Sequence, residues 1–189
     1  MQSRPAVGVT VLALLNVGVA RCQQTADRAV ATCEQATLAE PGMGVPYRGT
    51  VRNDDYRFSA TIPNGLVGWG ADPRAPFHGF SIFINPEGKT RSCIVFQIGI
   101  HIDRNEEKPG LDRKDVRLER ITVGGRPATR TSAATLVKGR TYENVHVGLQ
   151  VLHKKGDVHD VEIVLVTPEN DAVTTKAVFE KFIASFRFL

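Results

Sequence analysis

Ser92-Cys93-Ile94-Val95-Phe96-Gln97-Ile98-Gly99-Ile100-His101-Ile102 is the most strongly patterned stretch of the chain. In an extended strand successive side chains point to opposite faces. Ile94, Phe96, Ile98, Ile100 and Ile102 therefore share one side, and Cys93, Val95, Gln97, Gly99 and His101 share the other. One face made only of large apolar residues requires a deep core beneath it. The milder opposite face is partly covered. The stretch predicts a central strand of a sheet.

The flanking segments repeat the pattern more weakly. Upstream, His78–Ile84 reads as a second strand closed by the turn Asn85-Pro86-Glu87-Gly88. Tyr56, Phe58, Ala60 and Ile62 alternate with Arg57, Ser59 and Thr61, a half-buried strand by the period-two rule. Pro63-Asn64-Gly65 turns it, and Leu66–Trp69 is expected to continue as a hairpin. Downstream, Val116–Val123 and Pro127–Thr135 flank Gly124-Gly125, a two-residue hairpin signal. Val145, Val147, Leu149 and Val151 alternate with His146, Gly148 and Gln150. Lys154-Lys155-Gly156-Asp157 then turns the chain into Val158–Thr167, with Val161, Ile163 and Leu165 on its apolar side. The period next lengthens: Val178, Phe179, Phe182, Ile183 and Phe186 recur at helical spacing behind Asp171, placed to cap the helix. The fold class is α+β, a mainly antiparallel sheet of six to eight strands with a C-terminal helix packed on it.

The chain opens with a different signature. Arg4 precedes the mostly apolar run Pro5–Ala20, which ends in Gly18-Val19-Ala20. This is the layout of a secretory signal, with cleavage expected after Ala20. The run falls short of the roughly 20 apolar residues of a spanning helix, so no stable membrane span is expected. A lipid anchor on Cys22 is the rival, but Arg21 stands where a lipoprotein signal needs a small residue. The organisation expected is residues 1–20 as signal peptide, 21–46 as a polar arm and linker rich in breakers (Glu40-Pro41-Gly42-Met43-Gly44-Val45-Pro46), and 47–189 as one domain. The protein is expected to be periplasmic or secreted.

Composition fits a folded globular protein: 42% hydrophobic and 23% charged. A net charge of +4 and a pI near 9.1 invite a nucleic-acid reading. The charges nonetheless alternate in sign, as in Asp103–Arg120, and do not cluster as a phosphate-tracking surface does. Three cysteines, Cys22, Cys33 and Cys93, contain no C-x-x-C pair. In an oxidising compartment they predict one disulfide and one odd thiol. Cys33–Cys93 would tie the N-terminal arm to the strongest strand, closing a loop that restricts the unfolded chain by about 4 kcal/mol. Cys22–Cys33 is the local alternative.

No catalytic motif or cofactor-binding motif stands in the sequence. His101 and Asp103 share a face at the end of the strongest strand, the place for a small hydrolase's acid–base pair. His153 and His159 flank the Lys154–Asp157 turn and would meet across the hairpin, with Asp160 and Glu162 beyond. That makes a surface metal pair, yet no three-ligand spacing is present, and the expectation is no metal. The loop Val67–Gly79 holds Trp69, Arg74, Phe77 and His78 among prolines and glycines. Tryptophan and arginine are favoured interface anchors, so these four are the candidate binding residues; Trp69 and Phe77 would equally fit a plug at one end of the core.

Tyr56-Arg57-Phe58-Ser59-Ala60-Thr61-Ile62-Pro63, followed by Trp69, resembles the opening strand, proline turn and tryptophan of PsbP-like domains. Phe179–Phe188 is similar to their final helix running into a short edge strand. The resemblance implies an α/β/α sandwich, a fold used by extracytoplasmic lipoproteins, photosystem accessory subunits and some periplasmic immunity proteins. It carries over no catalytic residue, and fold alone does not set function. The expected function is that of an exported envelope protein binding another envelope or secreted protein, of inhibitor or immunity type. A small hydrolase, or a periplasmic carrier with a cavity between sheet and helix, is the alternative.

Overall fold

The computed structural model describes residues 32–70, 79–85, 91–100 and 116–188. In chain order the elements are α1 (Cys33–Ala36), β1 (Val45–Tyr47), β2 (Thr50–Asn53), β3 (Phe58–Thr61), β4 (Gly68–Gly70), β5 (Phe80–Phe83), β6 (Cys93–Ile100), β7 (Arg117–Val123), β8 (Arg126–Val137), β9 (Arg140–Leu152), β10 (Val158–Pro168), α2 (Ala172–Ala184) and β11 (Arg187–Phe188). An eight-stranded sheet runs in the order β1-β4-β5-β6-β10-β9-β8-β7, and a three-stranded sheet in the order β11-β3-β2. Every pairing is antiparallel.

β6 lies inside the large sheet between β5 and β10, as its two apolar faces require. Its Ile94, Phe96 and Ile98 join Ile163, Leu165 and Val147 in the main core. Over them lie Phe179, Phe182 and Ile183 of α2, all buried. Phe96 is the hub of an aromatic layer, with ring centroids 5.1 Å from Phe80, 5.3 Å from Phe58 and 5.6 Å from Phe186. Phe182 closes the layer against Phe186 at 5.3 Å and Phe80 at 6.1 Å. These rings pack against one another between the helix and the sheet.

The opposite face is covered by the segment expected to be an arm and linker. Cys33 of α1 forms a disulfide with Cys93 of β6, the pairing favoured from sequence, with Cα atoms 5.7 Å apart. Both sit in a second apolar cluster with Phe83, Val95, Tyr142 and Val166. Leu38 N–H donates to Ser81 Oγ at 2.7 Å, and Arg91 pairs with Glu40. Val45–Tyr47 then adds the edge strand β1. The breakers at 40–46 bend this cover without detaching it, because the disulfide and the second cluster hold its start.

Two local expectations give way to tertiary pairing. β4 does not form a hairpin with β3: β3 is taken by β2 and β11, and β4 crosses to the large sheet between β1 and β5. Asp171 does not cap α2 with its side chain. It ends a 3-10 turn with φ −98° and ψ −3°, away from the extended backbone a side-chain cap needs. Its carboxylate accepts a bond from Asn85 Nδ2 at 3.2 Å. The Gly124-Gly125 turn is as read, both residues having positive φ (55° and 84°) as a type I′ hairpin requires. Among the described residues no helix is long and apolar enough to cross a membrane.

Candidate functional site

Trp69 is the one member of the sequence-derived binding patch within the described residues; Arg74, Phe77 and His78 lie outside them, as do His101, Asp103 and Cys22. The strand Gly68-Trp69-Gly70 is pressed onto the core. A Cβ at Gly68 would stand 3.0 Å from Ile62 Cδ1 and 3.1 Å from Phe80 Cδ2, and one at Gly70 would stand 2.7 Å from Gly79 O. Only glycine fits inward there, so alternation throws Trp69 onto the outer face. It is half-buried against the disulfide cluster and does not plug the main core.

A cluster of ionisable and aromatic side chains lies at the end of the β9–β10 hairpin. Asn53 Oδ1 accepts the N–H groups of Asp55 and Tyr56, both at 3.0 Å, which fixes the turn between β2 and β3. Lys154 N–H donates to Asp55 O at 2.8 Å, and its ammonium pairs with the Asp55 carboxylate. These two latches bring the β2–β3 turn against the β9–β10 turn. Tyr56 fills the junction, its ring centroid 4.9 Å from that of His153 and 5.0 Å from that of His159. The two imidazoles are 5.5 Å apart, centroid to centroid.

Asp157 completes the group. Its Oδ2 is 3.4 Å from His159 Nε2 and 3.7 Å from His153 Nδ1. The histidine side chains are sheltered, 11% and 9% exposed, whereas that of Asp157 is 58% exposed. One ligand atom from each of the three lies within 4.8 Å of the others. The hydrogen bond from His159 holds the Asp157 carboxyl below the usual range, with the nearby histidines adding to it. Burial, then Asp157 and Asp55, push the Tyr56 hydroxyl up, so it stays protonated at neutral pH. His159 Nδ1 is buried without a hydrogen-bond partner.

The sequence reading places His153 and His159 together correctly but looks for carboxylates in the wrong positions. Asp160 bonds Gln150 at 3.2 Å, and Glu162 accepts from Gln97 near His146. Both have the opposite strand parity to His159 and so face the outer side of the sheet. Asp157 has the parity of His159 and lies in the turn itself. Tyr56 carries no sequence signal linking it to residues a hundred positions away.

Two other polar sites are less open to a ligand. His146 is buried, its Nε2 unbonded and 3.9 Å from Glu162 Oε1. Burial lowers its pKa against the pull of Glu162. A groove of about 200 Å³ between β7–β8 and α2 is lined by Arg117, Glu119, Arg130, Lys176 and Glu180. Two of its cations meet neighbouring carboxylates: Arg130 binds Glu180 at 2.7 Å, and Lys176 pairs with Glu143.

No family model matches this sequence, and no curated protein matches it at the level of sequence. Solved structures do match. The crystal structure of LpqN, described as involved in cell envelope biogenesis of Mycobacterium tuberculosis, aligns with a TM-score of 0.52 at 11% identity, covering 76% of this chain and 88% of its own. A crystal structure from Bacteroides thetaiotaomicron aligns with a TM-score of 0.45 at 12% identity, over 75% of this chain and 48% of its own. The solution structure of cyanobacterial PsbP from Synechocystis aligns with a TM-score of 0.34 at 16% identity, over 78% of this chain and 96% of its own. PsbP-like domains, named from the two end segments, are thus among the matched structures, and the likeness to LpqN is one of fold.

Proposed function

We propose that this chain is an exported bacterial envelope protein, periplasmic or secreted, that acts by binding another envelope or secreted protein, in the manner of an inhibitor or immunity protein. The observation that carries the reading is Trp69, turned outward by its flanking glycines on a sheet face that a disulfide secures. Disulfides persist in oxidising compartments, which agrees with residues 1–20 acting as a signal peptide. The envelope role described for LpqN supports the same setting. The contact surface is Trp69 with Arg74, Phe77 and His78 of the loop that follows it. Tryptophan and arginine are favoured anchors at protein interfaces.

The test is affinity capture from an envelope fraction with the wild type, Trp69→Ala and Arg74→Ala, each shown to be folded by circular dichroism. A partner retained by the wild type and lost from both variants is the expected result. Equal retention by all three sinks the assigned surface.

A further inference from the structure

We propose that His153, Asp157 and His159 form a binding site for a divalent transition-metal ion of zinc-like chemistry. Two observations converge. The donor set is two imidazole nitrogens and one carboxylate oxygen, a mixture that suits zinc and its neighbours and not the all-oxygen preference of calcium or magnesium. The spacing fits: ligands about 2.0–2.1 Å from a tetrahedral zinc stand about 3.3 Å from one another. Asp157 Oδ2 already lies 3.4 Å and 3.7 Å from the two imidazole nitrogens. The His153 and His159 ligand atoms lie within 4.8 Å of each other, and coordination at His153 Nδ1 would replace the 3.4 Å bond it accepts from Lys155 N–H.

His159 is nine-tenths buried, its ring held against Tyr56 and His153 and its Nε2 3.4 Å from Asp157 Oδ2. The scaffold is built before the ion arrives. Tyr56 backs both rings, and the Asp55–Lys154 latch fixes the two turns. Asp157, the most exposed of the three, forms the solvent side and leaves a fourth coordination position to water.

The full chain, produced without a histidine tag, is titrated with ZnCl2 by calorimetry. One ion per chain is expected. Asp157→Asn and His153→Gln each weaken it by roughly tenfold or more, as the loss of a ligand should. Both variants keep the wild-type melting temperature in EDTA, which separates a lost ligand from a lost fold. Replacing His78 and His101 by glutamine leaves the affinity unchanged. Co2+ in place of zinc gives the visible bands of a tetrahedral site with the wild type and not with Asp157→Asn. The proposal is overturned by the absence of binding at micromolar Zn2+, by affinities that do not move in Asp157→Asn and His153→Gln, or by loss of binding in the His78 and His101 variant instead.

Discussion

At His146, β9 places an imidazole under the outer face of the sheet with one nitrogen unbonded and Glu162 3.9 Å away. Burial disfavours its charged form, so its folded-state pKa lies below the ordinary 6.5. The unfolded chain then binds the proton more readily than the folded one. Stability is complete above the unfolded value and falls as pH drops through about 6.5 towards the folded pKa. His146→Gln should flatten that decline, which thermal unfolding between neutral and mildly acidic pH would reveal. A wild type equally stable throughout that range would show that Glu162 offsets the burial. Phe182, fully buried between Phe80 and Phe186, is the clearest core position. Phe182→Ala should cost about 3–5 kcal/mol in urea unfolding, and a loss under about 1 kcal/mol would contradict the packed aromatic layer.

Among the elements, those with an internal period were legible in the sequence. The alternation of β6, β9 and β10 and the aromatic stripe of α2 are local properties of the chain, and each element stands close to where its period puts it. What was not legible depends on partners distant in sequence. β4 has too few residues to announce which sheet it joins; the Cys33–Cys93 tie was expected, but that the segment behind it lies on the sheet as a cover and ends as the edge strand β1 was not. The candidate metal cluster is half legible for the same reason. A hairpin brings His153 to His159, whereas Tyr56 arrives only through the Asp55–Lys154 latch. That cover gives the disulfide a measurable effect. Replacing Cys33 and Cys93 together by alanine should lower stability by about 2–4 kcal/mol and increase the exposure of the half-buried Trp69, seen as a red-shifted fluorescence maximum. Unchanged emission would mean that α1 is held without the bond.

For the whole molecule, the cysteines give a direct check on compartment and processing. Intact mass of the protein recovered from the envelope should match a chain lacking residues 1–20. One thiol, Cys22, should be alkylated before reduction and all three cysteines after it. An acylated Cys22 would raise the mass and remove the free thiol, marking a lipoprotein. Retention of residues 1–20 would count against cleavage after Ala20.

The pairing of β11 with β3, Arg187 opposite Ser59 and Phe188 opposite Phe58, bears on how such a chain can be delivered. β3 carries Phe58 into the aromatic layer, and α2 with Phe186 closes that layer from the other side. The small sheet is therefore completed across well over a hundred residues, and the core stays open until Arg187 and Phe188 are available. A polypeptide threaded through a membrane pore from its N-terminus would cross without a finished core to pull apart. Folding would then follow release, at the slow pace of long-range strand pairing.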